Sequence, residues 1–276
     1  MIANCAFSER KKLVWLRGGN PALSSWTTPE EKGIALTYGG STYAVMMATP
    51  AHLQDFGIGF TITEGIVERA EQIASIEVIE NDLGMEIRMW LNASRAASLV
   101  ARRRAMVGSV GCGLCGIESL EQACSAPAIV ASRSKFHARD LLNAMGALAP
   151  LQRLNQQPHA MHAAAFWERS HGIRLVREDV GRHNALDKLA GALWRGNVPG
   201  SNVAVLLTSR VSVETVQKAA MIGVPAIIAV SAPTTLAIDT TDQAGITLIA
   251  VAREDGYEVF THPDRLIFYD SGTVAA

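Results

Sequence analysis

The chain has 276 residues, 49% of them hydrophobic and 18% charged, with a formal net charge of −1. So much apolar material argues against extended disorder, and the near-neutral balance argues against nucleic acid or an anionic membrane as the partner, so any anion site must be local. Ser8 to Lys12 fall where a secretory leader needs its apolar stretch, no apolar run approaches the roughly 18 residues of a membrane span, and four cysteines are too few for a disulfide framework. The reading is a cytoplasmic protein of two modest domains.

In chain order, residues 34–38 and 42–47 flank Gly39-Gly40 and predict a β-hairpin, which Pro50 ends. Residues 52–69 carry helical apolar spacing interrupted by Gly57 and Gly59. Residues 76–91 predict two strands around Asn81-Asp82-Leu83-Gly84, and residues 94–104 a helix ending in Arg102, Arg103 and Arg104. Gly108, Gly111, Gly113 and Gly116 then make a glycine-dense segment without apolar periodicity, which predicts a mobile loop. Helices are expected over 117–123 and 138–148.

The second half alternates strands at 173–177, 203–207, 226–230 and 246–251 with helices at 184–194, 213–222 and 235–243. This rhythm predicts a largely parallel sheet covered on both faces, a three-layer α/β/α domain, with Ser212 as an N-cap and Gly223 and Gly245 as helix stops. The organisation is therefore an N-terminal α+β region over 1–107, a glycine-rich loop over 108–124, and an α/β domain over 125–276.

Cys112 and Cys115 form a Cys-x-x-Cys pair inside that loop. A persulfide carrier needs a thiolate, mobility and exposure, and a following helix N-terminus or the arginines at 102–104 would lower the thiol pKa from about 8.5. Half of a zinc site is the first rival. It needs two further ligands, and Cys124 and His137 follow at irregular spacing, so no structural metal is expected. A thioredoxin-type pair belongs at a strand-to-helix junction, which this segment does not offer. A zinc deaminase needs His-x-Glu before Pro-Cys-x-x-Cys; here Gly111 precedes the pair, and His162-Ala163-Ala164 lacks the glutamate. The plain alternative for His159 and His162 is a loop and a helix start.

Residues 177–188 pack seven ionisable side chains and Asn184 into one strand-to-helix turn. Asp179 and Asn184 are expected to cap the helix, Arg182 and His183 to face an anion at its N-terminus, and Gly181 to allow close backbone approach. In open α/β sheets ligands bind beyond the carboxyl ends of strands, which is where Ser209 with Arg210, and Ser231 with Thr234, should lie. No dinucleotide glycine fingerprint or P-loop occurs. Phe260-Thr261-His262-Pro263-Asp264-Arg265 follows the last strand and is expected to close over a ligand on the same sheet edge.

Gly111-Cys112-Gly113-Leu114-Cys115-Gly116, the block from Glu178 to Lys188, Ser231-Ala232-Pro233-Thr234 and Phe260-Thr261-His262 together resemble the formate dehydrogenase accessory sulfurtransferases, the FdhD family. Met47-Ala48-Thr49-Pro50, Gly59-Phe60 and Thr63-Glu64-Gly65-Ile66 extend the resemblance over most of the chain. It implies a cytidine-deaminase-like α/β fold and a homodimer. It implies that Cys112 bears a persulfide received from a cysteine desulfurase, with Cys115 as partner thiol. The acceptor it implies is the molybdenum or tungsten bis(molybdopterin guanine dinucleotide) of the formate dehydrogenase catalytic subunit, bound as substrate with contacts at Phe260, Thr261, His262, Pro263, Asp264 and Arg265, and with guanosine nucleotides such as GDP as mimics. His162 joins the expected cofactor contacts. The competing class is a non-covalent cofactor chaperone, which needs the polar strand ends but not the thiols.

Overall fold

A computed structural model describes residues 6–14, 17, 19–99, 126–196 and 203–268, a mixed α/β fold built on two main sheets. It opens with a hairpin of β1 (Phe7–Val14) and β2 (Ala22–Pro29), paired with each other alone. β3 (Lys32–Tyr38) and β4 (Ser41–Ala48) follow, joined by Gly39 and Gly40 at φ 58° and 78°, the two left-handed residues that a two-residue hairpin turn of this kind demands. After helix α1 (Leu53–Thr63), β5 (Ile73–Asn81) and β6 (Gly84–Leu91) complete a four-stranded sheet of order β4-β3-β6-β5. Residues 93–99 are helical.

The larger sheet contains β8 (His162–Glu168), β9 (Gly172–Asp179), β10 (Val203–Leu207), β11 (Ala226–Ala229), β12 (Thr247–Arg253) and β13 (Gly256–Val259), in the order β13-β12-β11-β10-β8-β9. The four strands predicted in this half, β9 to β12, run in one direction. β8, which the sequence pattern does not announce, lies between β9 and β10 and opposes both, while β13 opposes β12 at the edge. His162 therefore opens a strand, not a helix. Ala163, Ala164 and Ala165 of β8 are all buried, because a central strand covered on both faces shows no polar alternation to betray it.

Alternation within β10 divides the core. Val203, Val205 and Leu207 face α3 (Arg182–Arg195), α4 (Val213–Ile222) and α5 (Thr235–Gln243). Ala204 and Leu206 face α2 (Ala138–Gly146) and the short ribbon of β7 (Phe136–His137) and β14 (Leu266–Ile267), so the sheet is the middle of three layers. Gly223 at φ 79° and Gly245 at φ 70° follow α4 and α5, as left-handed helix stops.

α1 joins the two sheets. Its Phe56, Phe60 and Ile62 pack with Ile34, Leu36, Ile87 and Met89 of the smaller sheet. On its other side the backbones of α1 and α3 touch: a Cβ on Gly59 would lie 1.7 Å from Asp187 O, and one on Gly191 1.9 Å from Asp55 O. A glycine costs about 1 kcal/mol in a helix, and the close crossing that Gly59 and Gly191 permit offsets it. Among the described residues no helix is long and apolar enough to cross a membrane.

Candidate functional site at the carboxyl edge of the large sheet

The carboxyl ends of β9, β10 and β11 and the start of β8 share one edge, and the chemistry gathers there. His162 opens β8, Arg182 and His183 begin α3 directly after β9, and Ser209 and Arg210 follow β10. Thr208 ties β8 to β10: its Oγ1 accepts from Ala163 N at 2.8 Å. The next loop is held beside it, since Val211 N donates to Ala232 O and Thr234 N to Val211 O, which brings Ser231 and Thr234 to the same edge. Thr234 caps α5 through Ala237 N. α3 and α4 begin differently, at Gly181 and Ser212, without a side-chain cap, so their first N–H groups are left for other acceptors.

Arg182 is the centre of the cluster. Its Nε is buried without a hydrogen-bond partner, and among the described residues no carboxylate pairs with Arg182 or Arg210. Burial and nearby positive charge lower both neighbouring imidazoles. Burial, then the charges of Arg182, Lys218 and Arg210, push His183 down to about 4; burial and Arg182 also lower His162. A neutral His183 is a donor at one nitrogen and an acceptor at the other. Nδ1 lies 3.1 Å from Glu214 Oε2 and Nε2 3.3 Å from Ser212 Oγ, so we assign the proton to Nδ1, which donates to the carboxylate. Burial raises Glu214 itself, despite Lys218. Glu214 was legible only as an acidic residue in the first turn of a helix.

Two expectations within this motif are corrected. Asp179 does not cap α3; its Oδ1 accepts from Gly181 N at 2.8 Å and from Asn184 Nδ2 at 3.1 Å. Asn184 does not cap it either: it lies inside α3, its Nδ2 donates to Met47 O and Asp179 Oδ1, and a Cβ on Gly181 would meet that nitrogen at 2.6 Å.

The turn from Phe260 to Arg265 is not on this edge. β13 runs against β12 and delivers the turn to the amino ends of β11 and β12, where it is stitched down. Thr261 Oγ1 accepts from Leu248 N and donates to Ile246 O, at 2.8 and 2.7 Å. His262 bonds Asp242 O, Arg265 Nη1 donates to Gly245 O at 2.6 Å, and Lys135 Nζ donates to Asp264 O. Phe260 packs against the helix-side core, and Pro263 opens a single 3-10 turn. The expectation that this turn closes over a ligand at the carboxyl edge of its own chain fails, because the edge strand reverses. Cys112, Cys115 and Cys124, with the basic run at 102–104, lie outside the described residues.

A family model described as the FdhD/NarQ family matches residues 29–267. The chain belongs to the FdhD/NarQ family. It is 50% identical over 253 residues to the sulfur carrier protein FdhD of Agrobacterium fabrum, covering 91% of this chain and 93% of that one. To the protein of the same name from Cupriavidus necator it is 47% identical, covering 91% and 87%. A crystal structure named for a formate dehydrogenase accessory protein of Desulfotalea psychrophila superposes with a TM-score of 0.72 at 24% identity, covering 95% of this chain and all of that one, a likeness of fold.

In this FdhD/NarQ chain the separated sequence blocks that carry the resemblance are one another's packing partners. From the first block, Thr49 N donates to Asp179 Oδ2 at 3.0 Å, Thr49 O accepts from Lys188 Nζ at 2.9 Å, and Met47 O accepts from Asn184 Nδ2 at 2.8 Å. From the second, Thr63 Oγ1 donates to Asp187 Oδ1 at 2.6 Å, and Lys218 bridges Asp187 and Glu64 at 3.0 and 3.1 Å. Lys188 reaches Asp179 at 2.5 Å with both side chains fully buried. Burial opposes the charge on Lys218, yet Asp187 and Glu64 outweigh it and hold this lysine above its ordinary range. Asp55 takes Arg177 and Arg195, at 2.8 and 2.7 Å. Glu178 accepts from the backbone of Leu154 and Asn155, both at 2.9 Å. Half of the ionisable motif thus holds α1 to α3, leaving Arg182 and His183 facing the edge.

Proposed function

We propose that this chain is a sulfur carrier serving formate dehydrogenase, and that the carboxyl edge holds the anionic part of the molecule that receives the sulfur. The observation that carries the placement is the buried Arg182 Nε, without a hydrogen-bond partner among the described residues, together with Arg210, at the starts of α3 and α4 that no side chain caps. The cargo rests on the Cys112-x-x-Cys115 pair and on the name that the curated relatives bear.

In the transfer, the Cys112 thiolate attacks the outer sulfur of a cysteine persulfide on a desulfurase. An S–S bond forms to Cys112 as the donor's S–S bond breaks, the donor thiolate leaves, and no external oxidant is consumed. Cys115 is the partner thiol. The acceptor, a substrate and not a resident cofactor, is molybdenum or tungsten bis(molybdopterin guanine dinucleotide); Arg182, Arg210 and the helix N-termini bind its phosphates, while the hydroxyls of Ser209, Ser231 and Thr234 offer bonds to its polar groups. His162 and the neutral His183 border the same space without adding charge.

The Phe260 to Arg265 turn enters this reading as a separate contact, to another part of the large substrate or from the second copy of a homodimer. Mass spectrometry after incubation with a desulfurase and cysteine tests the sulfur step: the parent gains a sulfur adduct, and a Cys112→Ala variant that gains it equally overturns the assignment. Titration with GDP tests the edge. Arg182→Ala and Arg210→Ala each weaken binding, whereas loss confined to Arg265→Ala would move the nucleotide to the amino edge. A Cys112→Ala, Cys115→Ala double variant that fully restores formate dehydrogenase activity would favour the non-covalent chaperone.

A further inference from the structure

The β1–β2 hairpin makes no use of the two main sheets. Among the described residues its strands pair only with each other, and the residues of β2 from Ala22 to Trp26 are all exposed. A lone two-stranded ribbon is marginal in water, and an exposed apolar pair on it invites a partner. Leu13 and Leu23 are that pair, opposite each other in register and 65% and 83% exposed. On the other face Lys12 Nζ lies 3.9 Å above the Trp26 ring, across from exposed Arg10.

Charge is segregated onto the same element. Residues 7–29 carry Arg10, Lys11, Lys12 and Arg17 against Glu9 alone, a net of +3 in a chain of −1, which leaves −4 for the remainder. Among the described residues no carboxylate pairs with Arg10, Lys11 or Arg17, although surface cations elsewhere do find partners, as in Lys32–Glu80 and Arg174–Glu168. The arm also reaches the loop that leads into β8, since the Trp26 ring lies 6.4 Å from that of His159, three residues before His162.

We infer that the β1–β2 arm is the docking element for an acidic protein surface, that of the protein from which Cys112 takes its sulfur. This rests on the carrier reading above. The acceptor molecule brings its own handle, phosphates that the carboxyl edge can grip. A sulfur donor offers only one neutral sulfur atom to recognise, so its selection needs a protein–protein surface. Leu13 and Leu23 supply the apolar centre, Lys11 shares their face, and Arg10 on the other face adds to the positive field that steers an acidic surface to the arm.

The test compares two donors on the full-length protein: a cysteine desulfurase with cysteine, which must dock, and inorganic polysulfide, which need not. An Arg10→Glu, Lys11→Glu variant should gain sulfur at Cys112 at least about tenfold more slowly from the desulfurase at low salt, and at the parental rate from polysulfide. Added salt should slow the parent with the desulfurase alone, by screening the arm. A Leu13→Ser, Leu23→Ser variant should reproduce the selective loss without a change of charge. Parental rates from the desulfurase in both variants would overturn the assignment. Sedimentation in which the variants lose a self-association that the parent shows would give the arm to a second copy, and binding to phosphatidylserine vesicles by the parent alone would give it to a lipid surface; either overturns it. If the parent gains sulfur from neither donor, the carrier reading falls first and the docking role with it.

Discussion

Two neighbouring regions of this molecule are rich in the same residue types and use them in opposite ways. Along the α1–α3 seam, buried Asp55, Asp179 and Asp187 meet Arg177 with Arg195, Lys188, and Lys218 in turn. At the carboxyl edge, Arg182 and Arg210 meet no carboxylate among the described residues, and burial with the charge of Arg182 lowers both His183 and His162. A buried charge left alone costs several kcal/mol, so pairing marks what the fold must keep, and an unpaired cation at a solvent-facing edge marks what is reserved for something else. The contrast separates, within the single stretch from Asp179 to Lys188, residues paired inside the fold from a cation that no carboxylate among the described residues pairs.

The largest expected effect breaks the seam. Lys188→Met strands Asp179 in the core and should cost about 3–5 kcal/mol in urea unfolding, most of it recovered in an Asp179→Asn, Lys188→Met double variant. Gly191→Ala comes next: its Cβ has no room against Asp55 O, and the forced separation of α1 from α3 should cost at least about 1–3 kcal/mol.

On the other side of the comparison, Arg182→Ala should weaken GDP about tenfold, near 1.4 kcal/mol of binding, while unfolding shifts by no more than about 0.5 kcal/mol. An unfolding loss comparable to that of Lys188→Met would instead make Arg182 part of the seam. The smallest effect is a pH slope. His183 is depressed to about 4 in the folded chain, against about 6.5 unfolded, so the unfolded state binds the extra proton first as pH falls. Stability should decline between those two values on acidification and level off below the lower one. His183→Gln should flatten that decline, and the ring resonances of His183 should report a neutral imidazole at pH 5.5.

Much of the α/β architecture was legible. Short apolar runs, the Gly39-Gly40 turn and the stops at Gly223 and Gly245 located elements because each expresses a local rule of backbone geometry. β8 was hidden, since its Ala163-Ala164-Ala165 core carries no period, and β1 and β2 were hidden because a ribbon without a buried face has no apolar pattern to show. The candidate site was legible as residue types, in Arg182, His183, Ser209 and Arg210, through the rule that strand ends bear ligands. Glu214 was not, because its relation to His183 depends on how α4 sits beside α3.

The sequence by itself determined the alternating elements, the dithiol and the polar turns, all of which depend on neighbours along the chain. The tertiary structure chose which charges are spent on one another: Arg177 and Arg195 meet Asp55, Lys218 meets Asp187, and Gly59 and Gly191 let helices α1 and α3 touch. It also sent Phe260 to Arg265 to the opposite edge from Arg182, because the direction of an edge strand is set by pairing across the sheet. Ion pairing and strand pairing are both long-range in sequence, and no local pattern encodes the partner.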